Sequence, residues 1–191
     1  MKKNEYIEFE MNNEDKFNDL TKLLDLISAS KKSGDYKSDK YWLDNFPDYT
    51  LKYYYFADSD LKPEFETRNA DGGTWHFYSM TEHLVENVDI EFLECKNSGN
   101  GKARLEFFAC GYPYGGITGL TMFLKSFDFK ATEIDEGGGI YKVNWKNETE
   151  FELKEVKTVA NNGYTTMAVD GQRDKTEPKS NFWSKLKSMW S

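Results

Sequence analysis

The sequence has few of the residues that mark a disulfide scaffold, a metal centre or a membrane span. Its 191 residues include two cysteines, two histidines and four prolines. Two cysteines build no disulfide framework, and two histidines without a third nearby ligand match no zinc-binding spacing. No apolar run approaches the roughly 20 residues of a transmembrane helix, and the start lacks the apolar stretch of a secretion signal. We therefore predict a cytoplasmic protein with no metal and no cofactor.

Positive charge is also scarce. Lys and Arg number 25 against 33 Asp and Glu, which gives a net charge of −8 and an isoelectric point near 4.9. Such a surface repels a phosphate backbone, so we do not expect direct nucleic-acid binding. A basic protein is the expected partner, because an acidic surface attracts cationic partners.

The charge is unevenly distributed. Residues 171–191 contain five Lys or Arg and two Asp or Glu, a local charge of +3, so residues 1–170 carry −11. We predict one domain over 1–170, a linker over 171–180 and an amphipathic helix over 181–191. The helix would dock on the acidic domain or on a second copy, with membrane contact as the weaker alternative. Its docking residues would be Phe182, Trp183, Leu186 and Trp190.

Aromatic residues are abundant, at 16% of the chain, and favour strands. Alternation predicts a first strand around Ile7 and Phe9, and a helix capped by Asn12 or Asn13 follows from Glu14 to Ser30. We predict an α+β fold, with a mainly antiparallel sheet of about seven strands covered by two helices, plus the short C-terminal helix.

The other predicted strands come from composition and turn signals. A hairpin turning at residues 97–101 would place Cys95 on its outer side, opposite about Arg104, too far from Cys110 for a disulfide. In the last strand, Leu153 is expected to face inward. The remaining predicted strands are Thr50–Ala57, Thr74–Met80, Val88–Lys96, Lys102–Cys110, Asp128–Ile134, Gly139–Trp145 and Thr149–Val156.

The outer side of the predicted hairpin mixes acids with apolar side chains. Such a surface is typical of a protein-binding face, although a second helix packed there would explain it equally well. We predict partner-binding roles for Glu91, Leu93, Glu106, Phe108, Tyr112 and Tyr114.

A glycine-rich turn at residues 111–116 leads into a helix with apolar residues at Ile117, Leu120 and Leu124. The first turn of such a helix can bind an anion, with Gly115, Gly116 and Thr118 as candidate residues. The turn matches neither the P-loop nor the dinucleotide fingerprint. The favoured alternative is structural: a tight crossover in which the glycines let the helix sit close to the sheet.

These patterns favour a non-catalytic acidic binding protein, such as an immunity protein or inhibitor that neutralises a basic toxin or enzyme. The first alternative is an enzyme or anion-binding protein that uses the glycine-rich turn with His76, Glu82, His83 or Cys110. The second is a structural or membrane-peripheral component recruited through the C-terminal tail. No family signature is recognised in the sequence.

Overall fold

A computed structural model describes residues 4–63, 75–87, 89–109 and 116–156. Strands and helices alternate irregularly in these residues, as expected of an α+β protein. Their order is β1 (Glu5–Glu10), α1 (Glu14–Ser33), α2 (Asp39–Asn45), α3 (Asp48–Leu51), β2 (Tyr54–Tyr55), β3 (Trp75–His76), α4 (Phe77–Val85), β4 (Ile90–Gly99), β5 (Lys102–Ala109), α5 (Ile117–Ser126), β6 (Ala131–Asp135), β7 (Ile140–Trp145) and β8 (Phe151–Glu155).

Six strands form one antiparallel sheet in the order β4-β5-β1-β6-β7-β8, and β2 pairs with β3 in a small parallel sheet. The first strand lies inside the large sheet, where Ile7 is opposite both Leu105 of β5 and Ile134 of β6. All three side chains are buried. The predicted α+β fold with a mainly antiparallel sheet is confirmed.

The helices pack on one face of the sheet, as their apolar stripes require. Helix α1 begins at the predicted cap, where Asn13 accepts a hydrogen bond from the Lys16 N–H at 3.0 Å, and it buries Leu20, Leu24 and Ile27. The core beneath α4 and α5 is aromatic: the Phe46 ring lies 5.0 Å from Phe77, in an edge-to-face arrangement. This layer leaves the opposite face of the sheet to polar side chains.

Two predicted strands are wrong. Residues 48–51 form the short helix α3, which follows Pro47, and only Tyr54–Tyr55 of the predicted Thr50–Ala57 strand is extended. The second, Thr74–Met80, is limited to Trp75–His76 in the described residues, because helix α4 begins at Phe77. In both segments tertiary packing of aromatic side chains outweighs their preference for strands.

A β-bulge changes the predicted orientation of Cys95. Phe92 is opposite Phe107 and Glu94 is opposite Glu106, so Leu93 is an extra residue in β4. Beyond the bulge Cys95 is opposite the buried Leu105, not Arg104, and it packs against the core.

Leu153 is less buried than its predicted inward-facing position implies. It is opposite the buried Val143, yet it remains 39% exposed because β8 is the last strand of the sheet.

Candidate functional site

The bulge in β4 exposes an apolar side chain among carboxylates. Leu93 is 45% exposed, and Glu91 and Glu94 beside it are also exposed. On the neighbouring strand Glu106 and Phe108 are opposite Glu94 and Glu91, and both are half-buried. We call these five residues the Leu93 surface. Four of the predicted partner-binding residues, all except Tyr112 and Tyr114, therefore lie together.

Most charges on the polar face of the sheet neutralise one another. Glu8 contacts Lys102 at 2.6 Å and Arg104 at 3.5 Å, and the Arg104 guanidinium lies 3.9 Å from the centre of the Tyr6 ring. Burial raises the pKa of Glu8, but hydrogen bonds from Lys102 and Arg104 outweigh it and hold that pKa below its usual value.

On the Leu93 surface, Lys96 contacts Glu94 at 2.6 Å and Glu106 at 3.0 Å. Its hydrogen bond is the largest cause that lowers the pKa of Glu106. Among the described residues no cation forms a salt bridge with Glu91, so Glu91 remains available to a partner.

A second cluster joins Asp60, His76 and Ser79. The His76 Nε2 lies 2.6 Å from Asp60 Oδ2, and its Nδ1 lies 3.1 Å from Ser79 Oγ. Because an ionised Asp60 can only accept, Nε2 carries the proton and Nδ1 of the neutral ring accepts from the Ser79 hydroxyl. The hydrogen bond from His76 lowers the pKa of Asp60. The sequence analysis named His76 as a candidate but not its partners. Asp60 is 16 residues away in the sequence and Ser79 is three residues away, and no sequence pattern links either of them to His76.

The other histidine occupies a notch in helix α5. A Cβ at Gly116 would lie 2.0 Å from His83 Cε1, and one at Gly119 would lie 2.8 Å from Nε2. The imidazole therefore fills the space beside these glycines. They allow a close approach of α5 to α4, not to the sheet as predicted. The Nε2 atom has no hydrogen-bond partner in the described residues, and burial lowers the pKa of His83. Thr118 is exposed, and anion binding stays a prediction.

A third polar cluster links the end of α5 to α1 and to two turns, one after α3 and one between β7 and β8. Asp128 accepts hydrogen bonds from Lys16 of α1 and from the Tyr53 hydroxyl. The nearly buried Lys125 contacts Glu148 at 2.5 Å. Burial raises the pKa of Asp128, but the bonds from Lys16 and Tyr53 outweigh it and lower that pKa. Every charge in this cluster has a partner, which indicates a structural role.

Several predicted sites fall outside the described residues. They are Cys110, Tyr112, Tyr114, Gly115, the linker over 171–180, and Phe182, Trp183, Leu186 and Trp190 of the tail. In the segments that the structure does cover, no three or more His, Cys, Asp or Glu side chains are grouped to hold a metal ion. None of the helices described is both long and apolar enough to cross a membrane.

Comparison with known proteins gives no further guide to function. No protein-family model, curated protein or solved structure matches the chain.

Proposed function

We propose that this protein is a non-catalytic acidic binding protein that recognises a basic protein in the cytoplasm through the Leu93 surface. The role that fits best is that of an immunity protein or inhibitor, which neutralises a basic toxin or enzyme. The observation that carries the proposal is the bulge in β4, which turns Leu93 outward among carboxylates. A cytoplasmic location fits Cys95, a half-buried free thiol.

The Leu93 surface has the two components of a protein-binding site. An apolar side chain that loses its water on contact supplies most of the affinity, and surrounding polar groups exclude solvent and select the partner. Leu93 is the apolar centre, and the exposed Glu91 beside it forms no salt bridge with any residue that the structure describes. One exposed leucine alone would mean nothing. Its combination with a bulge, Phe108 and three glutamates is what supports a binding role.

Its position at the sheet edge adds a constraint on the mode of binding. Strand β4 is a terminal strand, and an edge strand can pair with a strand of another protein. The bulge at Leu93 interrupts that ladder. We therefore expect the partner to bind by side-chain contact at this surface.

The test compares two variants that make the same chemical change at opposite edges of the sheet. Glu91→Lys with Leu93→Ala alters the Leu93 surface, and Glu155→Lys with Leu153→Ala is the matched control on β8, where both side chains are exposed. Each variant and the wild type are used to capture proteins from the native extract, quantified by mass spectrometry. We expect one strongly basic protein to be enriched by the wild type and the control.

The captured protein is then purified and its affinity measured. Removing an apolar anchor costs roughly 1–2 kcal/mol, so the Leu93-surface variant should bind roughly 5- to 30-fold more weakly. Because charge attracts the partner, binding should also weaken as salt rises from low to physiological concentration. Equal binding by both variants, or a partner with an acidic surface, would refute the proposal.

The Asp60, His76 and Ser79 cluster supports a second candidate function, hydrolysis of an ester. Ser79 Oγ would attack the acyl carbon and pass its proton to His76 Nδ1, which returns it to the departing alcohol. Water then attacks the acyl-serine with the same histidine as base, releasing the acid and restoring the hydroxyl. Ser79 is exposed and lies in the first turn of α4, where free N–H groups can stabilise an oxyanion.

The alternative is that this cluster is only structural: its hydrogen bonds hold the loop at Asp60 against helix α4. A fluorophosphonate probe distinguishes the two, because it labels a serine only when that serine is activated. Hydrolysis predicts labelling at Ser79 that is abolished by His76→Asn and by heat denaturation. If Ser79 of the folded protein is not labelled, hydrolysis is refuted and the cluster has the structural role.

A further inference from the structure

A groove separates helix α1 from the bulged strand β4, next to the Leu93 surface. On the helix side Thr21, Asp25 and Ser28 follow one another at intervals of four and three residues, so they share one face. On the strand side Leu93 and Glu94 form the rim. The floor of the groove consists of Leu24, Phe92, Cys95 and Leu105.

The size of the groove limits what it can bind. Its free volume is about 60 Å³, which holds about four water molecules. A cofactor or a drug-sized ligand occupies a pocket of roughly 300–1,000 Å³. One amino-acid side chain, inserted from a partner's surface, is a ligand of the right size.

The chemistry of the lining selects the type of side chain. No described residue forms a salt bridge or hydrogen bond with the exposed Asp25 carboxylate, whereas Glu94 shares Lys96 with Glu106. Burial, followed by the charges of Asp25 and Glu94, raises the pKa of the Cys95 thiol to about 12. The field of both carboxylates therefore reaches the floor, and low-dielectric walls concentrate such a field.

We infer that the groove between α1 and β4 binds one Arg or Lys side chain of the basic partner. The methylene stem lies on the apolar floor, and the cationic head lies between Asp25 and Glu94, with the Ser28 hydroxyl as a further acceptor. The inference rests on the proposed function, because the groove adjoins the Leu93 surface and would be covered by the same partner.

Other occupants fit the lining less well. An anion would be repelled by both carboxylates. A wholly apolar side chain would match the floor, but it would remove Asp25 from water without giving it a partner, which is unfavourable. A long cationic side chain satisfies the floor and the rim together.

The test titrates the full ¹⁵N-labelled chain with two small probes and follows backbone amide shifts by NMR. n-Butylguanidinium imitates an arginine side chain, and n-butylurea has nearly the same shape without the charge. We expect saturable shifts at Thr21, Ser28 and Cys95, with the cation binding about fivefold tighter, the upper range for a partly exposed ion pair. Asp25→Asn should remove that preference, and the control Glu155→Gln should retain it.

Each outcome decides the question. Equal binding of the two probes, shifts elsewhere on the protein, or no shift at all overturns the inference. If Glu155→Gln also loses the preference for the cation, the preference results from net charge, and the inference is overturned. The proposed function is tested by a separate experiment. If the Leu93-surface variant loses the basic partner but the groove shows no preference for the cation, only the inference about the groove is refuted.

Discussion

Asp128 occupies the left-handed backbone conformation that glycine usually adopts. Replacing Asp128 with glycine tests whether its side-chain contacts stabilise the protein by more than the left-handed conformation costs. Asp128 follows helix α5 with φ of +64°. Its N–H bonds to the Lys125 carbonyl at 2.8 Å, and the Phe129 N–H bonds to the Leu124 carbonyl at 3.2 Å. This is the Schellman arrangement, in which the left-handed residue is most often glycine. We predict that Asp128→Gly destabilises the protein although it relieves the backbone.

The magnitude follows from the contacts of the side chain. Relief of the left-handed conformation is worth about 1 kcal/mol, and glycine's unfolded-state entropy offsets roughly 0.5 kcal/mol of it. The hydrogen bond from the half-buried Tyr53 contributes about 1.5 kcal/mol, because its acceptor is charged. Lys16 and Asp128 are 26% and 39% exposed, so solvent reduces their ion pair to roughly 0.5–1 kcal/mol. The net loss of unfolding free energy for Asp128→Gly is about 1.5–2 kcal/mol.

Urea denaturation followed by circular dichroism measures this loss, and two further variants separate its causes. Asp128→Asn retains the left-handed tolerance and an acceptor for Tyr53, but that acceptor is neutral. It should therefore lose the Lys16 ion pair and the charge assistance of the Tyr53 hydrogen bond, together roughly 1–1.5 kcal/mol. Asn100→Gly is the matched control: Asn100 has φ of +54° in an exposed turn, and it should change stability by no more than about 0.5 kcal/mol.

The effect of pH on Asp128→Asn has a definite sign. The pKa of Asp128 is lower in the folded protein than in the unfolded chain. Its contribution is therefore complete above about pH 4, the usual value for aspartate, and is lost as the pH falls through the folded pKa. The stability difference between wild type and Asp128→Asn should be constant from pH 7 to 5 and shrink below pH 4. If Asp128→Gly proves as stable as the wild type at pH 7, the side-chain contacts do not explain the aspartate.

Three further predictions concern buried groups. Alanine usually stabilises a helix relative to glycine, but Gly119→Ala should destabilise this protein because the new Cβ would collide with His83. Gly138→Ala is the control and should not destabilise the protein, because the space around Gly138 is open. Since burial lowers the pKa of His83, wild-type unfolding free energy should fall as the pH drops from about 6.5 to 5, whereas that of His83→Asn should not. Cys95, whose pKa is about 12, should resist iodoacetamide at pH 8 in a Cys110→Ser background until urea unfolds the chain; rapid native alkylation would contradict its burial.

Local signals predicted the parts of the fold that depend on neighbouring residues. Asn13 caps α1 because its side chain bonds three residues ahead, and the β4–β5 hairpin forms around a glycine-containing turn. The same reasoning failed at Thr50–Ala57. There Tyr53 contacts Asp128, 75 residues away, and Tyr54 is fully buried. Such contacts decide between helix and strand, and composition does not contain them.

The candidate site shows the same division. Alternation along the hairpin predicted that Glu91, Leu93, Glu106 and Phe108 lie on one side, because strand faces follow a period of two. The bulge was not predictable from that period, and it reversed the face of Cys95 and opened the groove beside Asp25. The groove needs residues from two elements, so no pattern in either one indicates it.

The interior position of β1 implies that the halves of the sheet cannot join until the earliest strand is inserted between them. In a chain emerging from a ribosome, Glu5–Glu10 must wait for β5 and β6, which end at Ala109 and Asp135, and such distant pairing slows folding. A version lacking this strand should leave two separate units, the β4–β5 hairpin and the three-stranded β6–β7–β8 sheet, each with an unpaired edge strand prone to aggregation. Adding a synthetic peptide with the sequence of Glu5–Glu10 should then restore the six-stranded sheet.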